Sequence, residues 1–182
     1  MVPEISVLIP QEEIQKRVEE LGSKITRDYS GKSLTLLAVL KGAFVFMSDL
    51  ARCIDLPLTM DFLGLSSYGD KTETSGVVRI TSDLTQPVKD RDLLIVEDIV
   101  DSGLTMNFLY ENIKTRLPRS IKVCSFLDKP GRRRVSIDVD YVGFRIEDRF
   151  VVGYGMDYKG LYRNLPYLGA LDIDSLSGEV EK

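Results

Sequence analysis

Residues 93–106, LLIVEDIVDSGLTM, constrain this chain more than any other segment, because an apolar run ends there in two adjacent carboxylates and a turn containing glycine. Residues 93–96 are a short continuous apolar run of the kind buried on both faces of a parallel sheet. Glu97 and Asp98 follow where that strand should emerge. Ser102 and Thr105 bracket Gly103, and Met106, Leu109, Ile113 and Leu117 recur at helical spacing until Pro118 stops the pattern. The segment therefore predicts strand, turn and helix. Glycine lets successive backbone N–H groups converge, and the first turn of a helix offers unpaired N–H groups at the positive end of its dipole. Such a turn holds a phosphate.

Glu97, Asp98 and Asp101 would repel that phosphate unless they bind something else. Carboxylates accept from hydroxyl groups, and Mg2+ takes oxygen ligands while keeping waters and sharing phosphates. A ligand carrying phosphate, ribose and magnesium satisfies every group here. The plain alternative is an acidic turn at the end of a strand, with no such use.

The rest of the chain extends the pattern. Residues 10–29 predict a helix with Ile14, Val18, Leu21 and Ile25 on one face, Glu12 and Glu13 near its positive end, and Gly31 as its stop. Leu34–Leu40 reads as a buried strand, after which Lys41-Gly42 turns into an apolar helix over residues 43–54. Residues 120–127, 141–144 and 150–152 supply further strands, so the expected fold is α/β, a mainly parallel sheet covered on both faces by helices. Residues 65–85 differ, with SSYGDKTETSG and few core residues, and read as an exposed mobile loop.

Composition limits the chemistry. At 182 residues, 43% of them hydrophobic, the chain suits one domain, residues 1–182. A net charge of −4 gives no general attraction to nucleic acid or to anionic membranes. No apolar stretch is long enough to span a bilayer, and the N-terminus lacks the order of a signal peptide. Cys53 and Cys124 lie in apolar runs and read as reduced core residues of a cytoplasmic protein. With no histidine, triads and His-containing zinc sites are excluded, and the acidic cluster at residues 97–101 becomes the main candidate for acid-base work.

VEDIVDSGLT, residues 96–105, resembles the phosphoribosyl pyrophosphate signature of the phosphoribosyltransferases. Together with LKGAF from Leu40, SSYG from Ser66, DKPGRRR from Asp128 and FVVGYGMDYKGLYRNL from Phe150, it resembles the purine salvage branch, the hypoxanthine-guanine phosphoribosyltransferases. The resemblance implies the type I phosphoribosyltransferase fold, with a small hood built from terminal segments. It implies a Mg2+-dependent homodimer or homotetramer acting on phosphoribosyl pyrophosphate and a 6-oxopurine.

The same resemblance assigns roles. Glu97 and Asp98 would bind the ribose hydroxyls, directly or through metal and water, while Asp101, Ser102, Gly103, Leu104 and Thr105 hold the 5-phosphate. Asp101 would also act as general base near purine N7. Lys41, Gly42 and Arg163 would contact pyrophosphate, in a loop where the family can adopt a non-proline cis peptide, and Asp157 would join Glu97 and Asp98 in holding magnesium. Lys129 would donate to the exocyclic oxygen of the purine. Phe150, otherwise read as strand core, would stack on the base, with the Val151 backbone at its edge. Ser67 and Tyr68 would belong to a lid closing over the site. A regulator with this fold that binds nucleic acid through the basic run at residues 129–134 is the alternative of a different class, opposed by the acidic net charge.

Overall fold

The computed structural model describes residues 4–68 and 77–172. Along the chain run β1 (Ile5–Ile9), α1 (Gln11–Asp28), β2 (Leu34–Leu40), α2 (Phe44–Arg52), β3 (Thr59–Tyr68), β4 (Val77–Ser82), β5 (Asp92–Val100), α3 (Leu104–Lys114), β6 (Ser120–Asp128), a 3-10 turn (Pro130–Arg132), β7 (Tyr141–Arg145), β8 (Val151–Val152) and β9 (Leu168–Leu171). Six strands make the main sheet, in the order β4-β3-β2-β5-β6-β7, and every neighbouring pair is parallel except β3 with β4. The expected mixed α/β architecture is the one that forms.

Alternation along the strands sorts the core onto two faces. Leu36 and Ala38 of β2, with Leu94 and Val96 of β5, pack with the Ile14, Val18, Leu21 and Ile25 stripe of α1 and with Phe46, Met47 and Leu50 of α2. Their neighbours Leu37, Val39, Leu93 and Ile95 point the other way, onto Met106, Leu109 and Ile113 of α3. Each such side chain taken out of water contributes about 1.5–3 kcal/mol. The period-two and 3.6-residue patterns therefore agree on where the helices sit.

Four expectations need correction. Leu117 does not continue α3: the helix ends at Lys114, and Leu117 is 64% exposed with a φ of 57° in the left-handed region. Carboxylates Glu97 and Asp98 do not stand beyond the strand, because β5 runs on to Val100 along β6. The strand at residues 150–152 shortens to β8 and leaves the main sheet, joining a separate three-stranded antiparallel sheet in the order β1-β9-β8. This is the terminal hood, and its strands escape a helix-and-parallel-strand reading because their partners lie far away in sequence. Finally, residues 65–68 and 77–82 are not loop: β3 and β4 pair antiparallel there, Ser67 with Val78 and Tyr68 with Val77. The middle of the expected lid, and the side chains of Ser67 and Tyr68, lie outside the described residues. Of the two cysteines, Cys124 is fully buried and Cys53 only partly so, and neither is in a disulfide.

Asp61 ties the far end of that segment to the sheet. Only 7% exposed, it accepts through Oδ2 from the Thr85 N–H at 2.8 Å, the Thr85 hydroxyl at 3.1 Å and the Gln86 N–H at 3.3 Å. Asp61→Ala should therefore lower the urea midpoint at unchanged slope, by about 1.5–3 kcal/mol, the contribution of hydrogen bonds to a charged group. An unchanged midpoint would show that the tether contributes nothing.

Candidate active site

The site forms where β5 runs out of apolar residues. Residues 93–96 have no solvent exposure, and Glu97, the next residue, is still only 8% exposed. Burial, reinforced by the neighbouring Asp98 charge, pushes the Glu97 carboxyl well above the usual carboxylate range. Burial also raises Asp98, opposed by its hydrogen bonding and by the Arg163 guanidinium. Asp98 accepts from the Ile99 N–H at 2.7 Å and lies against Gly42, where a Cβ would stand 1.5 Å from Asp98 Oδ2. Only glycine allows that approach.

The turn after β5 is built as its residues require. Gly103 precedes α3 with a φ of 82°, and a Cβ there would meet the Val135 carbonyl oxygen at 2.6 Å, so glycine is required twice over. Its carbonyl accepts from the Asn107 N–H at 2.9 Å, which starts the helix. Ser102 is held from behind, its carbonyl accepting from the Arg134 and Val135 N–H groups at 2.9 and 3.1 Å. Asp101, Ser102, Gly103 and Thr105 line a cavity of about 430 Å³. Leu104 does not line it, and offers only its N–H, 3.4 Å from Ser102 Oγ.

Across this cavity stand Lys41, Gly42, Asp157 and Arg163. The Leu40-Lys41 peptide is cis. Arg163 forms an ion pair with Asp157 and donates to the Gly155 carbonyl at 2.6 Å, while Asp157 also accepts from the Gly160 N–H at 2.7 Å. Among the described residues no three acidic or cysteine side chains gather closely enough to cage a metal. Glu97, Asp98 and Asp157 thus share one cavity wall without forming an all-protein metal site.

A second cavity, of about 530 Å³, adjoins the first and shares Asp98, Ile99, Asp101 and Asp157 with it. Lys129, Phe150 and Val151 line it, as the resemblance implies. Lys129 is 6% exposed and donates to the Arg149 carbonyl at 2.6 Å, with Asp148 3.6 Å away. Lys129 is therefore not a solvated surface lysine. Phe150, read from periodicity as core, is 41% exposed and meets Tyr158 edge-on at 5.6 Å between centroids. An exposed ring on a cavity wall is free to stack.

The basic run after Lys129 holds residues that sequence reasoning passed over. Arg133 is turned inward, 18% exposed, bonding the Asp128 carboxylate and donating to the Asp101 carbonyl at 2.8 Å. Arg132 pairs with Asp148, whose carboxyl it holds below the usual range through their hydrogen bond, and approaches Asp101. The signal lay in the run itself, three arginines after Pro130-Gly131, where nothing in the sequence separates an inward arginine from a solvated one.

A glycine turn opening a helix and a set of buried carboxylates thus come together at the C-terminal edge of the main sheet. The phosphoribosyl transferase domain model matches residues 9–159, and the chain belongs to that family. Hypoxanthine-guanine phosphoribosyltransferase of Bacillus subtilis is 52% identical over 165 residues, covering 91% of this chain and 92% of that one. A hypoxanthine phosphoribosyltransferase structure from Staphylococcus aureus superposes with a TM-score of 0.89 at 45% identity, covering 93% of this chain and 92% of that one. The Trypanosoma cruzi hypoxanthine phosphoribosyl transferase, in a structure concerned with the role of its C-terminal region on oligomeric state and enzymatic activity, gives 0.90 at 38% identity over 97% and 96%. Within the family the chain lies in the hypoxanthine-guanine branch.

The raised Glu97 carboxyl makes stability pH-dependent. The folded chain retains its proton at a pH where the unfolded chain has lost it, so this stabilisation is complete below the ordinary glutamate value and is lost as pH rises toward the raised one. Glu97→Gln, melted without metal or ligand, should lose less stability than wild type as pH rises above the ordinary glutamate value, and so should melt higher than wild type on the alkaline side of that rise. Parallel pH profiles for the two proteins would contradict a proton held at Glu97.

Proposed function

We propose that the chain transfers the 5-phosphoribosyl group of phosphoribosyl pyrophosphate to N9 of hypoxanthine or guanine, giving IMP or GMP and pyrophosphate. Lys129 carries the reading: a buried ammonium that donates to the Arg149 carbonyl, with the Asp148 carboxylate 3.6 Å away, has hydrogens left for a ligand in a cavity walled by an exposed aromatic ring. An ammonium only donates, so it accepts a 6-oxo group as partner and leaves the 6-amino group of adenine unmatched. Phe150 stacks on the base, for about 0.5–1.5 kcal/mol beyond its buried area, and the Val151 backbone lies at the ring edge.

In this reading the 5-phosphate sits on the turn at residues 101–105, against the open N–H groups at the start of α3. Glu97 and Asp98 accept from the ribose hydroxyls, and the glycosidic bond breaks ahead of the new bond, with inversion at the anomeric carbon. Lys41, the Gly42 backbone and Arg163 receive the departing diphosphate. Asp101 takes the purine proton at N7. Asp157, with Glu97 and Asp98, fits Mg2+, which is usually held by one or two carboxylates together with substrate phosphates rather than by an all-protein cage. When bound, the ion neutralises charge on the leaving diphosphate. Ser67 and Tyr68 belong to a lid over the reacting centre that excludes water.

The reading extends to a single cytoplasmic domain that forms a homodimer or homotetramer. Met60 and Phe62, two residues apart on β3 and 56% and 41% exposed, offer apolar surface for a second copy. No described helix is long and apolar enough to cross a membrane.

Lys129→Gln should lower kcat/KM for hypoxanthine and guanine by roughly ten- to a hundredfold, the equivalent of one charged hydrogen bond, and narrow the discrimination against adenine. Steady-state kinetics with the three bases give the test. Specificity constants equal to wild type for all three would remove Lys129 from the purine site.

A further inference from the structure

Asp101 has a neighbour that the transfer just described does not use. Arg132 closes the 3-10 turn after Lys129 and lines the purine-side cavity. Its Nη1 donates to the two carboxylate oxygens of Asp148 at 3.0 and 3.3 Å, and its Nε lies 3.2 Å from Asp101 Oδ1. That Oδ1 is shut off from solvent and has no hydrogen-bond donor in line with it, whereas the Asp101 side chain as a whole is 38% exposed. The exposure therefore falls on the rest of the side chain, which lines both cavities, and Oδ2 is the carboxylate oxygen left for a ligand.

We propose that Arg132 is a positioning residue for the transfer: anchored on Asp148, its guanidinium holds Asp101 Oδ1 by charge and so presents Oδ2 to the purine N7 proton. The inference rests on Asp101 acting as the base. Arg133 already fixes the Asp101 main chain by donating to its carbonyl at 2.8 Å, which leaves the side-chain torsion as the remaining freedom. Torsions of this kind are broad in an aspartate, with no deep staggered well to hold the carboxylate plane. A permanently charged planar guanidinium, tied to both Asp148 oxygens through Nη1, supplies the missing restraint, because its Nε side lies against Asp101. The two arginines divide the task, one holding the backbone of the base and the other its carboxylate.

Misplacing a reacting group by about 1 Å can cost a hundredfold in rate, so loss of this restraint should cost roughly tenfold. The test is a double-mutant cycle on the single-turnover rate of hypoxanthine conversion, with the KM for phosphoribosyl pyrophosphate measured alongside. Arg132→Gln should slow turnover by that factor and leave the KM unchanged, and Arg132→Lys, which keeps a point charge without the fork, should recover part of the loss. Acting only through Asp101, Arg132→Gln should add nothing to Asp101→Asn. A wild-type rate for Arg132→Gln beside a slow Asp101→Asn overturns the positioning role alone, as does a double variant that loses the full product of the two effects. A wild-type rate for Asp101→Asn itself removes the base, and the positioning role with it.

Discussion

The site depends on the close approach of Asp98 to Gly42. The main sheet changes direction between β2 and β5: the chain adds β3 and β4 on one side of β2, then returns to lay β5, β6 and β7 on the other. Ligands of open α/β sheets bind outside the carboxyl ends of the strands at such a switch point. Here the parallel register of Ala38 with Val96 brings the Lys41-Gly42 turn beside Glu97 and Asp98 of β5. A side chain at Gly42 would occupy the position of the Asp98 carboxylate, so the Lys41-Gly42 turn and this acid meet as they do because that residue is glycine.

From this junction the two halves of the ligand site diverge by charge. Toward α3 lie the backbone N–H groups of the Gly103 turn, buttressed from behind by residues 133–135. Toward the hood lie Lys129, Phe150 and Val151, around a cavity that the hood helps to close. Glu97, Asp98, Asp101 and Asp157 stand between that turn and that wall, where the proposed transfer puts the sugar with its developing positive charge. Buried carboxylates held above their usual range by burial are a cost to the free protein that hydroxyl donors and a cation relieve on binding.

What the sequence made legible follows from how local each interaction is. Leu34–Leu40 and α1 were readable because a buried parallel strand is continuously apolar and an amphipathic helix repeats every 3.6 residues. The turn into α3 was readable because its glycine, its flanking hydroxyls and the first helical repeats lie close together in sequence. The hood strands were not: β1 and β9 pair across most of the chain, and nothing within either segment marks its partner. Periodicity placed Phe150 in the core, whereas packing leaves its ring at a cavity. Arg133 was hidden in a basic run, since inward and outward arginines look alike until the strand beside them, with Asp128, is in place.

The most direct test of the account is turnover by the wild-type protein of hypoxanthine, guanine and adenine, side by side, with phosphoribosyl pyrophosphate and Mg2+, following pyrophosphate release and nucleotide formation. The account predicts conversion of hypoxanthine or guanine to its 5'-monophosphate with one pyrophosphate per nucleotide, and adenine left largely unused. Adenine converted as readily as the 6-oxopurines, or no base converted at all, would contradict it.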